Sequence, residues 1–173
     1  MQPSFEFPNP DHVTVGTVGE PGARTFYLQV GAAGSIASFK IEKQQAAALA
    51  EYLGSVMADL PAPEVEPLPA PELIEPVTSK WTVGGIGIAY DEDADRVLLV
   101  VHEVEAVDEG DPEADDLDAE PDDSVAAARI SVTRPQVVAL IARCTELVEA
   151  GRPLCPFCGR PNGPDGHFCP REN

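Results

Sequence analysis

The chain has 173 residues, 43% of them apolar, which is enough for one domain with a real core or two very small ones. Its formal net charge is -19, with 30 Asp and Glu against 11 Lys and Arg. That balance disfavours nucleic acid, whose affinity rests on basic side chains displacing counterions, and anionic membrane surfaces, and no apolar run approaches the roughly 18 residues of a bilayer span.

The charge is uneven: twelve of the 30 acidic residues fall between Glu103 and Asp123, leaving 18 against the 11 basic ones. Met1 to Asp11 lacks the basic start and apolar run of a secretory signal, so a cytoplasmic location is expected. In that reducing compartment clustered cysteines are more often metal ligands than disulfides.

Pro3, Pro8 and Pro10 surround Phe5 and Phe7, which predicts an arm lying against the domain rather than a strand or helix. From His12 to Val18 apolar and polar residues alternate as in a strand, and Gly19-Glu20-Pro21-Gly22 supplies a turn. Phe26, Leu28 and Val30 mark one face of the next strand, and Ala37, Phe39 and Ile41 mark a third. The period then changes: Leu49, Leu53, Val56, Met57 and Leu60 predict an amphipathic helix over about Glu42 to Leu60.

Pro61 to Pro76, with six prolines and four glutamates, predicts a stiff, solvated connection. The plan then repeats. Trp81 to Tyr90 reads as a strand with a bulge at Gly84-Gly85, and Arg96 to Val104 as a central strand, apolar on both faces. Ala128, Ile130 and Val132 give a third strand, and Pro135 to Ala150 a helix bearing Val137, Leu140, Ile141, Cys144, Leu147 and Val148.

The segment Ile41 to Leu49 aligns without a gap on Val132 to Leu140, sharing Gln, Ala and Leu with a basic residue in register. This predicts an internal duplication. The expected fold is α+β: two pseudo-repeats of three antiparallel strands plus one helix, packed about a pseudo-twofold axis as one antiparallel layer under two helices. In residue terms, a domain at 1–150 holds units at about 12–60 and 81–150, joined by a Pro-rich linker at 61–76. A C-terminal zinc-knuckle hook follows at 151–173.

The hook carries the clearest chemistry. Cys155-Pro156-Phe157-Cys158-Gly159 and Gly166-His167-Phe168-Cys169-Pro170 bring three thiols and an imidazole together, the ligand set of a tetrahedral structural zinc. Gly159 permits the left-handed turn after the second thiol. Four protein ligands, Cys155, Cys158, His167 and Cys169, leave no coordination position for substrate. A Cys-x-x-Cys redox pair and inert cysteines are the alternatives, the first lacking its usual preceding strand and following helix.

Other residues have plainer readings. Cys144 belongs to the apolar stripe of its helix and reads as a small buried thiol, with a role near the metal as the alternative. His102, beside Glu103, is read as a strand-end residue or an acid-base group, and His12 as ordinary. The glycine-rich run from Gly16 to Gly22 lacks the Gly-Lys-Ser/Thr ending of a phosphate loop. The carboxylates of Asp108 to Asp123 lack calcium-loop order and predict a solvated excursion.

Three separated motifs carry a family resemblance. Gly16-Thr17-Val18-Gly19-Glu20-Pro21-Gly22-Ala23-Arg24-Thr25-Phe26, then Glu42-Lys43-Gln44-Gln45, then the run from Gly151 to Gly159 with Gly166-His167-x-Cys169-Pro170-Arg171, resemble the actinobacterial domain-of-unknown-function 3090 family. The resemblance covers nearly the whole chain and implies no settled activity and no catalytic residues. It implies genes near phosphatase-like and kinase-like proteins, hence a shared pathway.

The first functional expectation is a cytoplasmic, zinc-stabilised, non-enzymatic binding or adaptor module with a protein or small-ligand partner. Its candidate surface comprises Glu20, Arg24, Lys43, Gln44, Gln45, Arg134 and Gln136, although polar residues opening both helices also serve as caps. The second is an enzyme acting on a phosphorylated or anionic metabolite, with Arg24 and Lys43 as anion holders and His102 or Glu20 as acid-base groups. The third is nucleic-acid binding through the hook, which Arg152, Arg160 and Arg171 support only weakly.

Overall fold

The computed structural model describes residues 4–20, 22–64, 66–104, 125–151, 155–159 and 169. Seven strands and two helices follow in chain order: β1 Phe5–Phe7, β2 His12–Val18, β3 Thr25–Ala32, β4 Ser35–Ile41, α1 Lys43–Ala58, β5 Ser79–Asp91, β6 Arg96–Glu103, β7 Ala127–Thr133 and α2 Arg134–Glu149. The strands form one sheet in the order β1-β7-β6-β5-β4-β3-β2, an α+β architecture. The acidic segment expected to be a solvated excursion, Asp108 to Asp123, lies outside the described residues.

After β1, each half of the chain runs strand, strand, strand, helix, and within each such unit the neighbours are antiparallel. The halves meet differently from expectation. β4 pairs with β5 in parallel, across the α1 crossover, so the layer is mixed and not wholly antiparallel. A shared element order is a topology and does not by itself establish a duplication. The bulge expected at Gly84-Gly85 is present as a register shift after Val83.

Phe5–Phe7 also departs from expectation, lying against the domain not as an irregular arm but as a short strand parallel to β7. Three residues between flanking prolines suffice because an edge strand needs ladder bonds on one side only. Its position forces a curled sheet. β1 and β2 are the opposite edges, about 29 Å apart across six flat spacings. Only four residues, 8 to 11, join them, reaching at most about 18 Å from Phe7 to His12. The edges are therefore drawn together, and the Phe5 ring on β1 reaches within 5.8 Å of Phe39 on β4, edge-on. Phe39 in turn lies 4.4 Å from Trp81, whose buried ring N–H finds no partner among the described atoms.

The inner face is apolar throughout. Val15, Leu28, Phe39, Val97, Leu99, Val101, Ile130 and Val132 join Leu49 and Leu53 of α1 and Val137, Leu140 and Cys144 of α2 in one buried cluster. At roughly 1.5 to 3 kcal/mol for each large buried side chain, this cluster dominates the favourable side of folding.

The opposite face of β2, β3 and β4 has a polar centre that is also buried. Thr14, Gln29 and Ser38 lie in register across it, with His12 beside them. Part of the Pro-rich connection covers it. Ile74 exchanges two hydrogen bonds with the Gln29 carboxamide, donating its N–H to Oε1 at 2.7 Å and accepting from Nε2 at 3.0 Å. The segment expected to be solvated is at this point a strap on the sheet.

Candidate metal centre

The centre begins where α2 ends. Ala150 closes the helix with its N–H on the Glu146 carbonyl, leaving the last carbonyls to be satisfied from outside. Arg24 Nη2 donates to the Ala150 carbonyl at 2.6 Å. Lys43 Nζ sits close enough to Gly151 that a Cβ there would come within 3.0 Å of it. Two cations thus meet the negative end of the helix, where the backbone dipole favours them.

Beyond this point Cys155 starts a tight turn. The Gly159 N–H donates to the Cys155 carbonyl at 2.9 Å, and Gly159 adopts φ 70°, a left-handed conformation that glycine takes without a Cβ clash. The turn brings Cys158 back beside Cys155, and Cys169 joins them. All three sulfurs lie within 4.8 Å of one another, with Cys155 and Cys169 buried and Cys158 half-buried. Backbone N–H of Cys158 foremost, then that of Phe157 and the thiols of Cys158 and Cys169, hold the Cys155 thiol below its ordinary value, outweighing burial.

These residues fit a metal ion. Tetrahedral Zn–S bonds of about 2.3 Å put sulfurs about 3.8 Å apart, which three sulfurs already this close reach with small shifts. Amide donors favour the thiolate form that metals require. Cys144 differs in kind: it is fully buried among the apolar residues of α2, and burial pushes its thiol up to about 12. His167, the expected fourth ligand, lies outside the described residues.

The candidate binding residues do not converge on one surface. Arg24 and Lys43 serve the end of α2. Gln45 accepts the Glu42 N–H at 2.8 Å and donates to the Val83 and Gly84 carbonyls, as a helix cap that also ties α1 to β5. Gln136 accepts the Thr133 N–H at 2.9 Å and donates to Pro10 at 2.9 Å. Arg134 pairs with Asp95 at 2.8 Å and donates to the Pro61 carbonyl. Glu20 accepts the Ala23 N–H through its carbonyl in the β2–β3 turn, and Gln44 is exposed on the first turn of α1. His102 lies on β6 opposite Gly85 and Ala127, while His12 is buried and bonded to Gln29 at 2.9 Å.

Two arrangements had no sequence reading. One is the Gln29 clamp on Ile74, whose only signal was a glutamine inside an otherwise apolar strand. The other is Arg143, which reaches the Val15 carbonyl, Glu146 and Glu72 at once and so ties α2 to the edge strand and the strap.

A curled seven-stranded α+β sheet, carrying a three-cysteine centre that could hold a metal just beyond its second helix, defines the class. Residues 5–169 match the family described as Protein of unknown function (DUF3090), and the chain belongs to it. No curated protein and no solved structure matches the chain. Among the described residues no helix is long and apolar enough to cross a membrane.

Proposed function

We propose that the chain is a cytoplasmic, non-enzymatic binding module whose tail is held by a structural zinc ion. The observation that carries this reading is the meeting of three sulfurs within 4.8 Å, two of them on a turn whose amides favour the thiolate of Cys155. A thiolate-rich set selects zinc among common cations, and His167 supplies the fourth ligand. With four protein ligands the metal orders the tail and takes no substrate.

The enzyme reading has less support. Of its anion holders, Arg24 is bonded to the Ala150 carbonyl at the carboxyl end of α2, and Lys43 Nζ lies beside Gly151 at the same end. The groove of about 620 Å³ between the strap and α2 is lined by Glu66, Leu68, Glu72, Val138, Ala142, Arg143 and neighbours, and among the described residues its lining includes neither of them nor a histidine. Nucleic-acid binding is opposed by the net charge of -19.

The test is elemental analysis of the native protein purified under reducing conditions. One zinc per chain is expected, and a metal-free protein overturns the assignment. Capture of a defined partner from the native extract tests the binding role, and turnover of an anionic metabolite by the purified chain refutes it.

A further inference from the structure

The centre of the outer face of β2, β3 and β4 is composed like a surface that meets water, yet it is closed. Thr14, Gln29 and Ser38 are 0 to 3% exposed, and Gly16 leaves a recess beside them. The cover is the strap, and no described strap residue from 61 to 78 is itself fully buried; Ile74 is 46% exposed. Polar groups that a strap covers can exchange it for water or for another peptide at little loss, because each keeps a hydrogen-bond partner.

The contacts read the strap as a peptide is read. The Arg143 guanidinium takes the Glu72 carboxylate at 3.0 Å. Leu73 fills the recess so closely that a Cβ on Gly16 would fall 2.4 Å from its Cγ. Gln29 clamps both polar groups of Ile74, while its remaining valences go to His12 at 2.9 Å and Ser38 at 3.0 Å, so the carboxamide is fixed before the peptide arrives. Charge, one apolar side chain and one peptide unit are recognised in succession along an extended segment, the combination used in strand-like peptide recognition.

We propose that this face is a docking surface for an extended segment of a partner protein bearing an acidic residue followed by leucine, and that Glu72-Leu73-Ile74 occupies it in the partner's absence. The strap holds its place through its high effective concentration and not through a deep core contact. This inference rests on the binding-module reading and names the partner's chemistry. It does not involve the metal, so its failure leaves the zinc assignment standing, and a partner captured at another surface leaves the binding role standing.

The experiment uses the full chain and a fluorescent synthetic peptide of sequence Pro-Glu-Leu-Ile-Glu-Pro, read by anisotropy. Leu73→Asp vacates the recess and is expected to bind the peptide at least tenfold more tightly than the parent chain. A peptide with Asp in place of Leu is expected not to bind, nor is the parent peptide expected to bind the double variant Gly16→Val, Leu73→Asp. Equal binding to parent and Leu73→Asp, or indifference to the peptide's leucine, overturns the proposal. Should Leu73→Asp not fold, amide exchange of the parent chain decides: millimolar peptide is expected to speed exchange at Ile74 severalfold without affecting Leu28, and no acceleration overturns it. A concentration-dependent dimer that leaves the peptide unbound assigns the face to a second copy and also overturns it.

Discussion

Gln45 and Gln136 perform the same two tasks on the two helices. Each Oε1 accepts the N-cap N–H, at 2.8 and 2.9 Å, and each Nε2 donates to a main-chain carbonyl of a neighbouring element, Val83 in one case and Pro10 in the other. The second task makes a helix cap into a tertiary tie. Gln136 fixes the short β1–β2 link that draws the sheet edges together, and Gln45 fixes the bulge of β5.

Replacing either glutamine by alanine removes a cap and leaves a carbonyl without its donor. Each variant is expected to lose about 1 to 2 kcal/mol, read from urea midpoints at unchanged slope. Loss of less than a few tenths at both positions contradicts the tie.

Arg24→Ala removes the guanidinium from the Ala150 carbonyl. About 1 kcal/mol is the expected cost, as for a cation at a helix carboxyl end, and added salt is expected to shrink the difference between variant and parent. The last turn of α2 is expected to show the largest rise in amide exchange. A rise confined to the β2–β3 turn is the outcome against it.

Asp95 accepts from the Tyr90 hydroxyl at 2.6 Å and pairs with Arg134. These two partners, the hydroxyl first, hold its carboxyl below the ordinary 3.8. A depressed folded-state value means that ionised Asp95 stabilises the fold above pH 3.8, and that the contribution is lost as pH falls through the lower folded value. Asp95→Asn is expected to be less stable than the parent at neutral pH, with the difference closing on the acid side. A difference constant through that limb contradicts the network.

The four thiols are expected to divide by environment. With metal bound, a thiol reagent at pH 8 finds little to react with; after chelation, Cys155, Cys158 and Cys169 react. Cys144, with its thiol pushed up to about 12 inside the core, reacts only once the chain is unfolded. Rapid labelling of Cys144 in the chelated but folded protein is the contrary result.

Cys158→Ser is expected to abolish zinc binding and loosen the tail while the sheet and both helices stay folded, because the core cluster is complete without the hook. Circular dichroism and metal analysis together check this. Collapse of the sheet signal on loss of the metal contradicts it.

The sequence alone determined the features that local physics writes. Period two in β2, β3 and β7, period 3.6 in both helices and the matched glutamines at their starts depend on neighbours a few residues apart, and the clustering of Cys155, Cys158 and Cys169 on a stretch of about 15 residues. The tertiary structure decided what long-range closure controls. Phe5–Phe7 is a strand because β7 lies open beside it, and β4 meets β5 in parallel because α1 carries the chain across between them. Leu73 and Ile74 lie on the sheet because Gly16 and Gln29, distant in the chain, leave a recess and a carboxamide facing them. Arg24 and Lys43 look like anion holders in one dimension; in three they meet the unpaired carbonyl end of α2, a partner that only packing supplies.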